Sequence, residues 1–217
     1  MARPHLVIGN KTYSSWSLRP WIAMRQAGIV FTEEVIALDR KDTRTKILAH
    51  SAAGRVPVLH HGKITVWESL AIMEYVAETF PEAGLWPKAK AARALARAVA
   101  SEMHGGFAAL RSACPMNMKR KPSRLAVDAA VRRDARRIEE LWASCRVAHG
   151  GAGPFLFGRF SAADAMYAPV VNRLHVYGFR VSPETRSYMV AMMGLSAWQD
   201  WDRAARAEPW VIAHEDF

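Results

Sequence analysis

The sequence contains little cysteine and no long hydrophobic run. Two cysteines occur in 217 residues, Cys114 and Cys145, and their wide spacing matches neither a metal-binding nor a redox motif. Such a count excludes a disulfide-stabilised scaffold. The apolar stretches, of which YMVAMMGL is among the longest, are too short to cross a bilayer, and the first ten residues lack the pattern of a signal peptide. We therefore expect a cytoplasmic protein that neither spans nor binds a membrane.

Acidic residues are also scarce relative to basic ones. The chain has 30 Lys and Arg against 20 Asp and Glu, a formal net charge of +10, and residues 88–150 hold fourteen basic and five acidic residues. This asymmetry suits nucleic acid, an anionic membrane surface or small anionic ligands. However, the basic residues of the second long helix lie opposite an apolar face, and no zinc finger, RNA-recognition signature or interleaved aromatic residues accompany them. We therefore do not expect a nucleic acid partner.

The first part of the chain alternates strand and helix signals within an ordinary globular composition of 51% hydrophobic residues. Strands are predicted over 5–9 and 31–38 and a hairpin over 56–69, with His60, His61, Gly62 and Lys63 between its apolar runs. Helices are predicted over 16–27, weakly over 41–50, and over 69–80. Gly28 supplies a left-handed stop to the first helix. The order βαβαββα predicts a small α/β domain at residues 1–86.

The second part of the chain, residues 87–217, has only helical signals. Two long helices are predicted over 89–112 and 123–148, followed by a glycine-rich loop over 149–160. Ser161 and Asp164 have the spacing of a capping box, and Ser182 and Ser196 are predicted to begin two further helices. The sequence therefore predicts an all-helical second domain.

Three polar features of the first domain indicate a binding site. Residues 10–20, NKTYSSWSLRP, place several hydroxyls where a strand passes into a helix. Val56-Pro57 stands at the start of a strand, and a cis peptide bond there would turn the backbone groups of Val56 outward; an ordinary edge-strand proline is the alternative. Glu68-Ser69 stands where a strand passes into a helix, so backbone N–H groups and the Ser69 hydroxyl could hold a carboxylate, although Ser69 could equally be a simple cap.

Together these segments resemble the glutathione transferase superfamily, and the resemblance extends over the whole chain. YSSWSLRPWIAMRQAGI is similar to the first-helix motif of the serine-type classes, as in zeta-like bacterial members. GRVPVLHHGKITVWESLAIMEYV is similar to the glutathione-site segment, and SAAD to the capping motif of the helical domain. The resemblance implies a thioredoxin-like first domain, a homodimer, glutathione as cosubstrate, and transfer of glutathione to a small electrophile.

Carried over residue by residue, the resemblance makes Ser14 the hydroxyl that activates the glutathione thiol. Val56 would pair with the cysteinyl backbone of glutathione, Glu68 and Ser69 would hold its γ-glutamyl end, and Arg55 is a candidate for its glycyl carboxylate. Tyr13 is an alternative hydrogen-bond donor to the glutathione sulfur. Its side chain could instead serve only in packing.

Other hydroxyls at this junction have a structural explanation. Ser15 and Ser17 are expected to cap the first helix. Pro20 is expected in its first turn, because a proline further along would disrupt the helix.

One residue departs from the family pattern. Trp16 stands where zeta-class and cysteine-type members have cysteine, which argues against an isomerase of the maleylacetoacetate type and against mixed-disulfide chemistry. The alternatives that stay open are such an isomerase and a non-catalytic protein that binds glutathione or another partner.

The pocket for the electrophile is predicted less directly. Tyr13 and Trp16 are candidates to line it. Arg97, His104 and Arg111 recur every seven residues and would share one face of a continuous helix. That face is either a solvated surface or a site where His104 or Arg111 meets an anionic cosubstrate. No histidine pair has the spacing of a metal site, so we expect no metal.

Overall fold

The structure is a computed structural model that describes residues 2–151 and 153–216. Its strands are β1 His5–Gly9, β2 Thr32–Ile36, β3 Val58–His61 and β4 Ile64–Trp67. Its α-helices are α1 Ser15–Gln26, α2 Thr43–His50, α3 Ser69–Thr79, α4 Lys90–Gly105, α5 Ala108–Ala113, α6 Ala129–Cys145, α7 Ala162–Val176, α8 Pro183–Met193 and α9 Ser196–Ala207. The predicted order βαβαββα followed by helices is confirmed.

The four strands form one mixed sheet in the order β2-β1-β3-β4. β1 and β2 are parallel, whereas β3 is antiparallel to both β1 and β4. Because side chains alternate along a strand, Leu6 and Ile8 of β1 point to the large core with α1 and α3, and Val7 points to the opposite face. There it joins a small cluster with Ile47 of α2. The sheet is thus covered by helices on both faces.

The predicted hairpin is confirmed, with a shorter turn than expected. His60 and His61 belong to β3, where they pair with Thr65 and Ile64, so the turn consists of Gly62 and Lys63. Gly62 has a φ of +63°, a conformation that glycine adopts without the steric cost of a side chain.

The expectation for Pro20 is wrong. Pro20 lies in the second turn of α1 rather than in its first, and the helix continues through it to Gln26. A proline at this point removes one intrahelical donor. The helix persists because its buried side chains pack on the sheet and on α7, and tertiary packing commonly outweighs local propensity.

The expectation of one helix over 89–112 is also wrong. α4 ends at Gly105, Gly106 is extended, and Phe107 adopts a left-handed φ of 57° before α5 begins. Two consecutive glycines lower helix stability at this point, and the buried Phe107 fixes the bend. The predicted helix over 123–148 is shorter than expected: α6 begins after Asp128, whose side chain accepts from the Val131 N–H, and a π-helical turn, Arg146–Gly150, follows it.

α7 lies at the centre of the helical part. Its capping box is confirmed: the Ser161 side chain accepts from the backbone N–H at Asp164, and the Asp164 carboxylate accepts from the Ser161 N–H at 2.9 Å. Ser182 caps α8 through the Thr185 N–H, whereas Ser196 is the first residue of α9 and does not cap it. α7 packs against α1 and α4, and this joins the helices to the sheet. Within the described residues, no helix is both long and apolar enough to span a membrane.

Candidate functional site

A cleft lies where the N-terminus of α1, the segment before β3 and the short helix α5 meet. Two adjoining parts of the cleft, with volumes of about 280 and 350 Å³, share the residues Trp16, Arg55, Val56 and Arg111. Glu68 and His104 line the first part, and Tyr13 and Ser14 line the second. The structure therefore brings together nearly all the residues that the sequence singled out.

Ser14 immediately precedes α1, but its side chain does not cap the helix. Its Oγ donates to the Oγ of Ser17 at 2.7 Å, and that oxygen also accepts the Gly9 N–H at 3.0 Å. The capping roles expected for Ser15 and Ser17 are therefore wrong, because the fully buried Ser17 is engaged with β1 instead. Ser14 retains a hydroxyl at a helix N-terminus, where the macrodipole favours negative charge.

Tyr13 lines the same part of the cleft, and its side chain is buried. Burial raises the pKa of its phenol, and the carboxylates of the C-terminal segment, such as Glu215 and Asp216, raise it further. Tyr13 is therefore a neutral phenol at neutral pH. It can donate a hydrogen bond but does not supply a charged group.

The Val56-Pro57 peptide bond is cis, as one of the two sequence interpretations expected. Within the described chain, Val56 forms no backbone hydrogen bond, although β3 begins only two residues later. Its N–H and C=O remain available beside the cleft for an extended ligand. Arg55 is exposed and lines both parts of the cleft.

Ser69 is the first residue of α3 and is fully buried. Its Oγ has no hydrogen-bond partner within the described residues, and it does not cap the helix. The preceding residue, Glu68, has a φ of 69°, which places it outside the usual conformations of residues other than glycine. A buried hydroxyl without a partner costs free energy, so this position suits an added ligand group.

The Trp16 ring contacts three side chains: Arg19, His104 and Arg111. The Cζ atoms of Arg19 and Arg111 lie 4.1 and 4.9 Å from its ring centroid, and the His104 ring meets it edge-on at 5.2 Å. Burial lowers the pKa of His104, and this outweighs the opposite effect of Glu68, whose carboxylate lies 3.6 Å away. His104 is therefore neutral at neutral pH.

The expected common face of Arg97, His104 and Arg111 does not exist, because the bend at Phe107 separates α4 from α5. Arg111 turns back and donates to the Gly106 carbonyl oxygen at 3.1 Å, which brings it near His104. Arg97 instead forms a two-pronged ion pair with Glu74 at 3.0 and 3.1 Å and does not line the cleft.

Sequence reasoning missed two arginines near this cleft. Arg173 of α7 lines the part of the cleft that contains Ser14, is only 4% exposed, and donates through Nε to the Cys114 carbonyl oxygen at 2.8 Å. Arg19 is fully buried and donates through Nε to the Met166 carbonyl oxygen at 3.1 Å. Each stands one helical turn from apolar residues, Ile22 and Ala23 for Arg19 and Pro169 and Val170 for Arg173, and that pattern is the signal that could have identified them.

Sequence reasoning also missed Glu208, which follows α9 and lies far from Ser14 in the chain. Its carboxylate accepts from the Lys11 N–H at 2.6 Å and from the Thr12 N–H and hydroxyl, each at 2.9 Å. The Trp201 indole donates to the Lys11 carbonyl oxygen at 2.9 Å. The loop that leads to Ser14 is thus held by the last helical segment, a contact that no local sequence pattern reveals.

The chemical capacity of this cleft follows from its groups. It offers a hydroxyl at a helix N-terminus, an unpaired backbone edge at Val56, an unpaired buried hydroxyl at Ser69 and several guanidinium groups. These suit an extended, anionic ligand with a group that becomes negatively charged near Ser14. Among residues 2–151 and 153–216, no group of three or more His, Cys, Asp or Glu side chains could hold a metal ion.

A larger cleft of about 480 Å³ lies at the C-terminal end of α7, between residues 124–127 and 177–180. Its basic side chains, Arg124, Arg132 and Arg180, are exposed. Among the described residues that line this surface, none is one of those that the sequence singled out for the binding site.

The chain is similar to known proteins along most of its length. The family model for the glutathione S-transferase N-terminal domain matches residues 13–79, and that for the glutathione S-transferase C-terminal domain matches residues 89–207. The chain is 40% identical over 68 residues to a dichloromethane dehalogenase of Methylorubrum extorquens, covering 29% of the chain and 23% of the relative. It is 31% identical over 99 residues to a probable maleylacetoacetate isomerase of Caenorhabditis elegans, covering 46% of each. The chain thus spans less than half of each of these two relatives.

A similar solved structure is a glutathione transferase homolog from a Burkholderia strain, determined with bound glutathione. It shares 22% identity with this chain, covers 95% of this chain and 100% of its own, and superposes with a TM-score of 0.73. At this identity the similarity establishes the fold, a thioredoxin-like domain followed by a helical domain. With both family models matched along most of its length, this chain belongs to the glutathione S-transferase family.

Proposed function

We propose that this chain is a glutathione transferase in which Ser14 stabilises the thiolate of bound glutathione for attack on a small electrophile. The observation that carries the proposal is the position of the Ser14 hydroxyl, which does not cap α1 and opens into the same cleft as Val56. Family membership and the glutathione bound by the Burkholderia homolog support glutathione as the cosubstrate.

The remaining contacts to glutathione follow from the cleft. The free backbone of Val56 pairs with the cysteinyl residue of glutathione. The unpaired Ser69 hydroxyl and the N-terminal amides of α3 donate to the γ-glutamyl carboxylate, and Glu68 accepts from the γ-glutamyl ammonium group. Arg55 meets the glycyl carboxylate. These groups lie at or next to the cleft. In the described chain the Ser69 Oγ has no hydrogen-bond partner, and the Glu68 carboxylate approaches one charged partner, His104, at 3.6 Å.

The expected gain in thiolate follows from the strength of one charged hydrogen bond. A free thiol has a pKa of about 8.5, so only a few per cent is ionised at pH 7. A hydrogen bond to a charged group contributes about 1.5–3 kcal/mol, or roughly one to two pKa units. The N-terminus of α1 adds positive potential. Together these effects bring the thiol pKa near 7.

The proposal includes a homodimer, a cytoplasmic location and a domain boundary between residues 86 and 87. β4 is an edge strand whose Ile64 side chain is about half exposed, and an exposed apolar edge of this kind suits a subunit contact, whereas Trp67 at the end of β4 lines the cleft. Cys114 and Cys145 are both buried free thiols, as expected in a reducing compartment.

The test is the rate of glutathione conjugation with 1-chloro-2,4-dinitrobenzene at pH 7. Ser14→Ala should lower kcat/KM by about 10- to 100-fold, because it removes one hydrogen bond to a charged sulfur. Ser15→Ala is the matched control, since Ser15 is the adjacent hydroxyl and lines the same part of the cleft, so that this substitution removes a neighbouring hydroxyl and leaves Ser14 in place. Equal rates for wild type and Ser14→Ala would overturn the proposal.

A second candidate is an isomerase of the maleylacetoacetate type, which the similarity to the Caenorhabditis elegans relative favours. Trp16 argues against it, since no thiol occupies that position. Glutathione-dependent isomerisation of a maleyl substrate, with no conjugation of chlorinated aromatics, would select this candidate. A chain that binds glutathione with no turnover of either kind would be a non-catalytic member of the fold.

A further inference from the structure

Three arginines without an ion-pair partner in the described chain lie around the part of the cleft that contains Ser14, and two of them, Arg19 and Arg173, are buried. Arg173 lines this part, Arg111 lines both parts, and Arg19 lies behind Trp16. None of the ion pairs among residues 2–151 and 153–216 includes any of these three arginines. The exposed arginines Arg97 and Arg137, in contrast, each form a two-pronged pair with a glutamate.

The guanidinium groups retain unused donors. The Nη1 atoms of Arg19 and Arg173 are buried and have no acceptor in the part of the chain that the structure describes. Each arginine makes one side-chain hydrogen bond, and it is to a backbone carbonyl through Nε. Burying a cation without an opposite charge costs free energy, and repulsion among these arginines adds to that cost. The pKa of Arg173 is correspondingly lowered to about 10 by burial and, secondarily, by the charge of Arg111.

Among the described residues, the acid that lines this part of the cleft is Glu215. It lines the same surface as Arg173, but it forms no ion pair within the described chain. Burial raises the pKa of Glu215, against the lowering effect of His214 and Arg173, and this single carboxyl group faces two arginines, Arg111 and Arg173, along the cleft. The cleft therefore keeps an excess of positive charge beside Ser14.

We infer that the electrophile carries a carboxylate, which binds between Arg111 and Arg173 and directs the reactive carbon toward the sulfur beside Ser14. This inference rests on the proposed function and names the substrate class of the same site. A carboxylate supplies the acceptor that the buried Nη1 atom of Arg173 lacks, and a guanidinium group binds a carboxylate in a fixed geometry. A cleft of about 350 Å³ accommodates a small aromatic or aliphatic acid.

A matched pair of substrates tests the inference: 4-chloro-3,5-dinitrobenzoate and its methyl ester. Both react in the same way. The thiolate sulfur bonds to the ring carbon that bears chlorine, the carbon–chlorine bond breaks, and chloride leaves with the bonding electrons, while the thiol proton has passed to water. The ratio of kcat/KM for the acid to that for the ester, each divided by the uncatalysed rate constant with glutathione, isolates recognition of the carboxylate.

For the wild-type enzyme this ratio should be greater than one, which means that the enzyme prefers the acid to the ester. Arg111→Met and Arg173→Met should each lower the ratio by about 10- to 100-fold, the effect of one charge-assisted hydrogen-bonded pair. Glu215→Gln should raise it, because it removes the competing negative charge. Arg133→Met is the control, since Arg133 is an exposed arginine of α6 outside the cleft, and it should leave the ratio unchanged. A ratio that is the same in wild type, Arg111→Met and Arg173→Met would overturn the inference.

A binding measurement separates this inference from the proposed function. Calorimetry with 3,5-dinitrobenzoate, which has no leaving group, should show binding that weakens about tenfold or more in Arg111→Met and is absent for the methyl ester. This result does not require turnover. Arg111 is half-exposed and sits on a short helix, so Arg111→Met remains informative even where Arg173→Met does not fold. Equal binding of acid and ester would contradict the inference, whereas loss of Ser14 dependence with intact acid binding would contradict only the proposed function.

Discussion

The Oγ of Ser14 lies 2.7 Å from the Oγ of Ser17, which also accepts the Gly9 N–H at 3.0 Å. This arrangement connects the last residue of β1 to the hydroxyl at the start of α1. If Ser14 turns its proton toward a bound sulfur, the Ser17 hydroxyl can donate to Ser14 in its place. The two serines thus form a short hydrogen-bond chain that holds the Ser14 oxygen in position.

Ser17→Ala should destabilise the fold and weaken thiolate formation together. The substitution leaves the buried Gly9 N–H without an acceptor, so the free energy of unfolding should fall by about 1–3 kcal/mol in denaturant titration. Ser15→Ala, which changes a half-exposed hydroxyl on the same turn, should leave stability within about 0.5 kcal/mol of wild type. An unchanged unfolding free energy for Ser17→Ala would show that the Gly9 contact is dispensable.

Ser69→Ala should weaken glutathione binding and leave the stability of the fold nearly unchanged. The Ser69 Oγ has no partner in the described chain, so its removal should change the free energy of unfolding by less than about 1 kcal/mol. The same substitution should weaken glutathione binding by about 10-fold or more, measured by calorimetry, because the γ-glutamyl carboxylate loses a hydrogen bond. Unchanged affinity would place the γ-glutamyl end elsewhere.

Glu208→Gln should reduce activity although Glu208 does not line the cleft. Its two carboxylate oxygens accept from the Lys11 and Thr12 N–H groups and from the Thr12 hydroxyl, and an amide can replace only one of these oxygens as an acceptor. We expect a loss of about 1–3 kcal/mol in stability and a lower kcat/KM through displacement of the loop before Ser14. Glu78→Gln, at an exposed position of α3, is the control. If Glu208→Gln kept the wild-type stability and kcat/KM, the hydrogen bonds of Glu208 to Lys11 and Thr12 would not be needed to position Ser14.

Stability should depend on pH through Asp164. Burial raises the pKa of this carboxyl from its ordinary value of 3.8 to about 6, against the opposing effect of its hydrogen bonds. A folded pKa above the unfolded value means that the folded state binds the proton more tightly. The contribution to stability is therefore fully present below about pH 4 and is lost as the pH rises through about 6.

Asp164→Asn removes this titrating group. It also changes the free energy of unfolding by an amount that does not depend on pH, because the hydrogen bonds at this position are altered. The wild-type free energy of unfolding, taken relative to that of Asp164→Asn, should fall by up to about 3 kcal/mol between pH 4 and pH 7. A difference that does not vary with pH would show that the hydrogen bonds from Leu156 and Ser161 offset the cost of burial.

The parts of the fold with strong local signals could be predicted from sequence. The βαβαββα order and the capping box at Ser161 depend on neighbouring residues, so short motifs predict them. The cis bond at Val56-Pro57 was one of two interpretations that the sequence left open. The site followed largely from the family resemblance, which singled out Ser14 and Ser69 before any geometry was known. Their chemical roles remain predictions.

The errors occurred where tertiary contacts outweigh local rules. Pro20 was placed in the first turn because an isolated helix would not tolerate it later, yet packing on the sheet and α7 retains the helix. The bend at Phe107 was missed because the apolar spacing continues across the two glycines. Arg173 and Glu208 were missed because their partners lie far away in the chain, at Cys114 and at Lys11 and Thr12.

The most direct test of the central claim is the ultraviolet absorbance of the thiolate of enzyme-bound glutathione as a function of pH. In wild type the apparent pKa of the bound thiol should lie near 7, below the free value of about 8.5, and in Ser14→Ala it should rise by about one to two units. Ser15→Ala should titrate as wild type does. An apparent pKa that is the same in wild type and Ser14→Ala would contradict the assignment of Ser14 as the group that stabilises the thiolate.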